Sequence, residues 1–346
     1  MKVLFLTYFY YDIYKPILQE MERQGHIVTL IEDKSIRFDY NSNRLGDFQK
    51  RIRKFLWIIS MAEKRYWKRA LKEHPELDGY YDVLLCMPGF SFCKYLLDIL
   101  RKNNPDIKSC ALINDSSNYY NHYKNKSLYD KIYTFDYHDA NKIEGVKVLD
   151  AYWESLPPKT NNKYQVALIG SDHDDRLDII KKIYPQLVDN NISYYIRVVS
   201  KKPAMSESFI RKIIEVLKIK LLHHPNQVNV WEDKMKLPFV TDKAIPVEDV
   251  REIINSSECI LETDREGQSG LTLRDMWALA SGKKIITTNL FLKELPYFNE
   301  KQIKFIDRKN PIIDIDFIKK SQEFPMCDAI KDQRIDHWVR RLLLFD

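Results

Sequence analysis

Short apolar runs alternate along this chain with longer stretches in which apolar residues recur every three or four positions. The runs at 2–7, 27–31, 82–87, 108–113, 131–135 and 146–149 are hydrophobic on both alternating sets of positions, which predicts strands covered on both faces, as in a parallel sheet. The periodic stretches at 14–24, about 47–72 and 92–103 predict helices, with Gly25-His26 ending the first and Pro88-Gly89 stopping the strand before the third. Between 151 and 163 the pattern breaks at Pro157-Pro158 and Asn161-Asn162, a linker signature. The βα rhythm then restarts, with strands expected at 165–169, 193–199, 259–262 and 284–287 and helices at 174–189, 206–221, 247–255 and 270–281. The fold class is therefore α/β with two parallel-sheet domains, residues 1–155 and 164–325. An amphipathic end, 326–346, is expected to return as a helix toward the first domain. Open sheets of this kind bind ligands outside their carboxyl ends, so a cleft between the domains is the expected site.

Composition narrows the classes. Of 346 residues, 45% are hydrophobic and 30% charged, an ordinary globular balance that excludes disordered and fibrous chains. The longest apolar stretches, 3–11 and 55–61, fall short of the roughly 20 residues that cross a bilayer. The first seven residues have the texture of a signal peptide, but Tyr8, Phe9, Tyr10, Tyr11 and Asp12 follow without a small-residue cleavage site. A buried first strand and a cytoplasmic location are the expectation. The five cysteines form no CxxC pair, and most lie in apolar runs, so reduced core thiols are expected rather than a disulfide or zinc framework.

The net charge of +6 is concentrated: residues 44–72 hold ten Lys or Arg against Asp47 and Glu63, leaving the rest of the chain slightly acidic. That distribution argues against a nucleic-acid partner. Phe55, Trp57, Tyr66 and Trp67 are interleaved with the bases, which suits either contact with an anionic membrane surface or a helix with one face in the core.

The window with the most chemistry runs from Ile260 to Arg274. An apolar strand ends near Leu261, a polar loop follows, and an amphipathic helix is expected from Gly270; Gly267, Gly270 and Gly282 are three of only nine glycines. Backbone N–H groups at such a helix start, with the hydroxyls of Ser269 and Thr272 and the guanidinium of Arg274, suit a diphosphate. The alternative is that Ser269 caps the helix and Arg274 is a solvated first-turn residue.

Gln268-Ser269-Gly270-Leu271-Thr272-Leu273-Arg274, followed by Ala278-Leu279-Ala280-Ser281-Gly282-Lys283-Lys284, resembles the donor-domain signature of bacterial GT-B glycosyltransferases from capsule and lipopolysaccharide clusters. Three further stretches resemble that family in the same order: Ala111-Leu112-Ile113-Asn114-Asp115-Ser116, residues 128–140, and residues 166–176. The resemblance implies a GT-B fold, two Rossmann-like domains facing across a cleft. It also implies a nucleotide-sugar donor held mainly by the second domain, a glycan or lipid-linked acceptor, and neither a cofactor nor a metal. Gly170, Arg176, Gln268, Ser269, Gly270, Thr272 and Arg274 are then the donor contacts, with contact at the inner membrane leaflet through residues 44–72. One departure is Trp277, which stands where many such enzymes carry a ribose-binding Glu; spacing with Leu273 and Ala280 makes it a core residue, and Glu262 or Asp275 is left for the ribose.

An inverting sugar transfer needs a group that takes the acceptor proton. The candidates are Asp115, Asp136 and His138, each just after an expected strand, though Asp136 also stands where an N-cap would. Asp172-His173-Asp174 and Asp314-Ile315-Asp316 have the DxD pattern of metal-dependent transferases, but capping explains the first, and His223-His224 reads as a loop. The reading is a glycosyltransferase of surface-glycan synthesis. Its rivals are a GT-B nucleotide-sugar epimerase, a glycerol-phosphate-type polymerase and a non-catalytic nucleotide-binding scaffold.

Overall fold

The structure, a computed structural model, describes residues 1–9, 12–33, 62–88, 93–119, 122–154, 161–203 and 227–345. Outside them lie Pro157-Pro158, the helix expected at 206–221, His223-His224 and residues 44–61 of the basic segment.

The first sheet holds β1 (Lys2–Thr7), β2 (Ile27–Glu32), β3 (Val83–Met87), β4 (Lys108–Ile113), β5 (Lys131–Thr134) and β6 (Val146–Val148), in the order β2-β1-β3-β4-β5-β6. Every pairing is parallel, and Val3 is level with Val28 on one side and Val83 on the other. The continuous apolar runs are explained by the two covered faces. Val3, Phe5, Val83 and Leu85 pack under α1 (Tyr14–Arg23), while Leu4, Leu6, Leu84 and Cys86 pack under α2 (Ala62–Glu73) and α3 (Lys94–Asn103). Trp67 on α2 is buried in that second core, so it is not a headgroup anchor. Arg65, Lys68, Arg69 and Lys72 form the exposed face of the same helix. A short helix, α4 (Tyr137–Lys142), follows β5.

The second sheet is built from β7 (Tyr164–Ser171), β8 (Tyr194–Val199), β9 (Val240–Thr241), β10 (Ser257–Glu262), β11 (Lys284–Thr287) and β12 (Ile303–Phe305), ordered β12-β11-β10-β7-β8-β9 and again parallel. Its faces are covered by α5 (Arg176–Asp189) on one side and by α7 (Val247–Asn255) and α8 (Leu273–Ala280) on the other. Between these, α6 (Gln227–Met235) precedes β9, and α9 (Ile315–Lys319) and α10 (Asp328–Lys331) follow β12. Lys284 is buried, and its ammonium binds three carbonyls at the end of α9, those of Phe317, Ile318 and Lys320, at 2.6–2.9 Å. A buried ammonium is tolerable because those dipoles replace its water.

The chain then crosses back. Ile335, Trp338, Val339 and Leu342 of α11 (Ile335–Leu343) enter the core under the first sheet, and the Trp338 indole N–H donates to the Asp150 carbonyl at 2.7 Å. Two Rossmann-like domains facing across a cleft, with the last helix returned to the first, make the fold GT-B. In each sheet the strand order reverses once, between β1 and β3 and between β7 and β10, and these switch points open onto the cleft. Among the described residues no helix is long and apolar enough to cross a membrane. Cys86, Cys93, Cys110 and Cys259 are buried free thiols, and Cys327 is exposed.

Candidate functional site

The switch point of the second sheet is where β7 and β10 end side by side. Gly170 lies at the end of β7, and a Cβ built there would fall 2.0 Å from the Arg176 guanidinium. Glycine is required so that Arg176, only 2% exposed, can fold back across the strand end. Its Nε donates to Thr263 Oγ1 at 2.8 Å, and its Nη atoms donate to the Ser171 and Thr263 carbonyls and to Glu262 at 2.6–3.1 Å. Four of the five Arg176 N–H donors are thus taken by protein, which makes it a strut between β7 and β10 rather than an open diphosphate contact.

Glu262 is equally occupied. Arg274 grips it through two bonds of 2.7 and 2.8 Å, so the carboxylate is held between two guanidinium groups. Both charges hold it below the usual carboxylate range despite burial. Glu262 is not free for a ribose; Asp275 is 1% exposed, and its Oδ2 accepts from the Thr272 N–H and hydroxyl, each at 2.9 Å, in a capping box that closes the start of α8, while its buried Oδ1 has no hydrogen-bond partner among the described residues. The helix begins at Leu273, three residues later than expected, and Thr272, not Ser269, is its cap. The capping box thus occupies the backbone amides of Thr272 and Asp275 at the helix start.

Ser269 and Gly270 serve the domain interface. The Ser269 hydroxyl donates to Asp136 at 2.8 Å and accepts from the His138 N–H at 3.0 Å. A Cβ on Gly270 would lie 2.0 Å from the Phe135 carbonyl oxygen, so only glycine lets this loop rest on the first domain. Asp136 is fully buried and also accepts from the backbone N–H groups of His138 and Asp139, the first turn of α4. This corrects the candidacy of Asp136 as a base: it caps α4 and ties the domains together. His138 is exposed and sits edge-on to Phe291, with ring centroids 5.1 Å apart. Trp277 is core, as spacing indicates, and its indole N–H donates to Glu154 at 2.9 Å.

Asp115 differs from these. It is partly buried just after β4, and burial pushes its carboxyl up to about 6 while the charge of Arg265 pulls it back. Around the loop after β10 gathers a cationic crevice that local sequence does not show. Arg308 reaches from beyond β12 to Asp175 at 2.8 and 3.0 Å and to Thr288 Oγ1 at 2.9 Å. His173 is pushed down to about 2 by burial and by Arg176, Arg265, Arg274 and Arg308, so it is neutral. Its neighbours in the DxD-like run are structural. Asp172 accepts from Ser200 and Lys234 at 2.8 and 2.7 Å, and Asp175 stands at the cap position of α5 without capping it. Asp314 is the side-chain cap of α9. No group of three potential ligands is placed to hold a metal among the described residues.

Two recesses meet at Ile13, Leu273 and Arg274. One, about 120 Å³, lies at the ends of β7 and β8 and is lined by Ile169, Val199, Ile245 and Val250. The other, about 250 Å³, lies between the domains, where Met87, Leu112, Tyr152 and Trp338 face Gln268 and Thr272. An apolar slot and an apolar chamber sharing one arginine are suited to a ligand with a flat ring, a charged middle and a second moiety.

No protein-family model matches the chain, and no curated protein does. Solved structures share its fold loosely. A protein from Listeria monocytogenes described as a UDP-N-acetylglucosamine 2-epimerase is 9% identical, with 99% of this chain and 94% of that one covered and a TM-score of 0.47. Arabidopsis thaliana UGT89C1, complexed with UDP, is 8% identical over 99% and 90% of the two chains, with a TM-score of 0.44. TarM is 11% identical over 75% of this chain and 50% of its own, with a TM-score of 0.40. The two sheets and their shared cleft define the fold without them.

Proposed function

We propose that this chain transfers a sugar from a nucleotide-sugar donor to a glycan acceptor. The observation that carries the reading is that two apolar recesses, one at the strand ends of the second domain and one between the domains, meet at Arg274 beside the switch point of the second sheet. The recess at Ile169 and Val199 takes the nucleoside, and Arg274, with Arg265 and Arg308 nearby, faces the diphosphate without a metal. The chamber under Met87 and Trp338 takes the acceptor.

In the transfer the acceptor oxygen bonds to the anomeric carbon while Asp115 takes its proton. The bond to the diphosphate breaks with its electron pair left on the phosphate oxygen, where the guanidinium charges stabilise it. This is an inverting step. The exposed bases of α2 favour a lipid-linked acceptor at an anionic membrane surface, the setting of capsule or lipopolysaccharide synthesis.

Incubation with UDP-, GDP-, CDP- and ADP-sugars and extracted lipid-linked saccharides tests this. We expect one donor to release its nucleotide only when acceptor is present, with inversion at the anomeric carbon. Release with isomerised free sugar would identify an epimerase, and binding with no turnover would identify a scaffold.

A further inference from the structure

The smaller recess is a slot with named walls. Ile169 of β7 and Val199 of β8 line it where those strands end, Ile245 and Val250 bring in the start of α7, and Leu273 and Trp277 belong to α8. Its volume is about 120 Å³. An apolar protein cavity of about 150 Å³ holds one benzene molecule, so this slot is sized for a single flat ring. Among the described residues, only Ser171 and Arg274 add polar side chains to a lining that is otherwise apolar, since the Trp277 indole N–H is already bonded to Glu154.

The width of the slot is held by a buried charge. Glu154 is 8% exposed; it accepts from the Trp277 indole N–H at 2.9 Å and pairs with Arg251 of α7 at 3.3 Å, so one carboxylate ties α8 to α7. At the head of α7, Pro246 stands at the cap position with a φ of −55°. Its ring locks that angle and restricts Ile245 before it, which stiffens the wall.

We infer that the donor is a pyrimidine nucleotide: the slot between α7 and α8 takes the single ring of a uracil or a cytosine and has no room for the fused second ring of a purine. The inference rests on the slot being the nucleoside site of the proposed transfer.

Apolar walls discriminate by size rather than by hydrogen bonds. They bury the faces of a ring that fits, and forcing extra atoms into a packed site costs about 10–100-fold in affinity. Widening the slot is the alternative for a purine. That separates Trp277 or Arg251 from Glu154 and leaves a buried carboxylate short of a partner, which is costly in its own right.

The test is calorimetric titration with UDP, CDP, GDP and ADP in the absence of Mg²⁺. The tighter of UDP and CDP is expected to bind at least about tenfold more tightly than either purine nucleotide. Ile245 is half-buried, so its variants should fold and melt with wild type. Ile245→Ala opens the slot, strengthens GDP and ADP, and shrinks the preference several-fold. Ile245→Trp fills it and weakens the pyrimidine nucleotide by about tenfold or more. GDP or ADP bound by wild type as tightly as UDP and CDP overturns the inference and leaves the donor site standing. A pyrimidine preference that neither variant alters also overturns it, because the base then lies outside the slot. Binding of none of the four nucleotides refutes the donor site of the proposed function, and the inference with it.

Discussion

Asp115→Asn is expected to lower sugar transfer by about 10²–10⁴-fold, the usual contribution of a general base, while leaving nucleotide affinity unchanged. Asn keeps the shape of the side chain and one acceptor oxygen, replaces the other with an NH2 donor, and cannot take a proton. The acid limb of the wild-type profile, near pH 6, should vanish from what activity remains. Stability should move the other way. A carboxyl raised in the folded state favours folding when protonated, so its ionisation weakens the fold as pH climbs from 3.8 to about 6. At pH 8 the Asn variant should therefore melt no lower than wild type, and at pH 3 the two should coincide. Steady-state rates and melting curves on the same samples check both statements. A variant that loses activity and also melts early would show that Asp115 holds the loop rather than the proton.

Glu262→Ala should be the most damaging change to the fold itself. It leaves Arg176, 2% exposed, and the bidentate nitrogens of Arg274 facing a cavity where a carboxylate stood. Removing one partner from a buried ion pair typically costs about 3–5 kcal/mol, because an uncompensated charge stays behind. A large part of the stability of the second domain would be lost, read as a lower denaturant midpoint. Glu262→Gln keeps the volume and one acceptor and should fall between. Since the folded Glu262 is held below its ordinary 4.5, its contribution is present above that pH and is lost as the pH falls through its folded value. The gap between wild type and Glu262→Ala should narrow in acid.

Much of the fold is legible along the chain, because a strand buried on both faces is apolar at most of its positions. In a run such as Val83–Met87, the five-residue length and the Pro88-Gly89 that follows decide for a strand over a buried helix segment. The strands that escape notice are those too short to show a pattern: β9 has two residues and β12 three, and pairing with neighbours defines them. The site was legible in composition and not in role. A loop rich in glycine and hydroxyls suits a phosphate, and it suits equally a close approach by another backbone; only the position of Phe135 decides for Gly270. Arg176 and Arg274 stand out in sequence as bases near strand ends, but their common partner Glu262 is a matter of sheet order. Arg265 and Arg308 gave no local signal, since Arg308 is carried into the crevice by β12, which pairs beyond β11. Asp115 could be recognised as a carboxylate at a strand end, and its perturbation depends on a burial that local sequence does not show.

The most direct measurement is hydrogen exchange by mass spectrometry with UDP, GDP, CDP, CMP or ADP, in the absence of Mg²⁺. The account predicts that one nucleoside diphosphate slows exchange at residues 169–171, at 199–200 and around 271–277, the walls of the small recess and the turn that carries Arg274. At 100 times its dissociation constant that nucleotide should add about 2.7 kcal/mol to stability. Protection by no nucleotide, or protection confined to surfaces away from these strand ends, would contradict it.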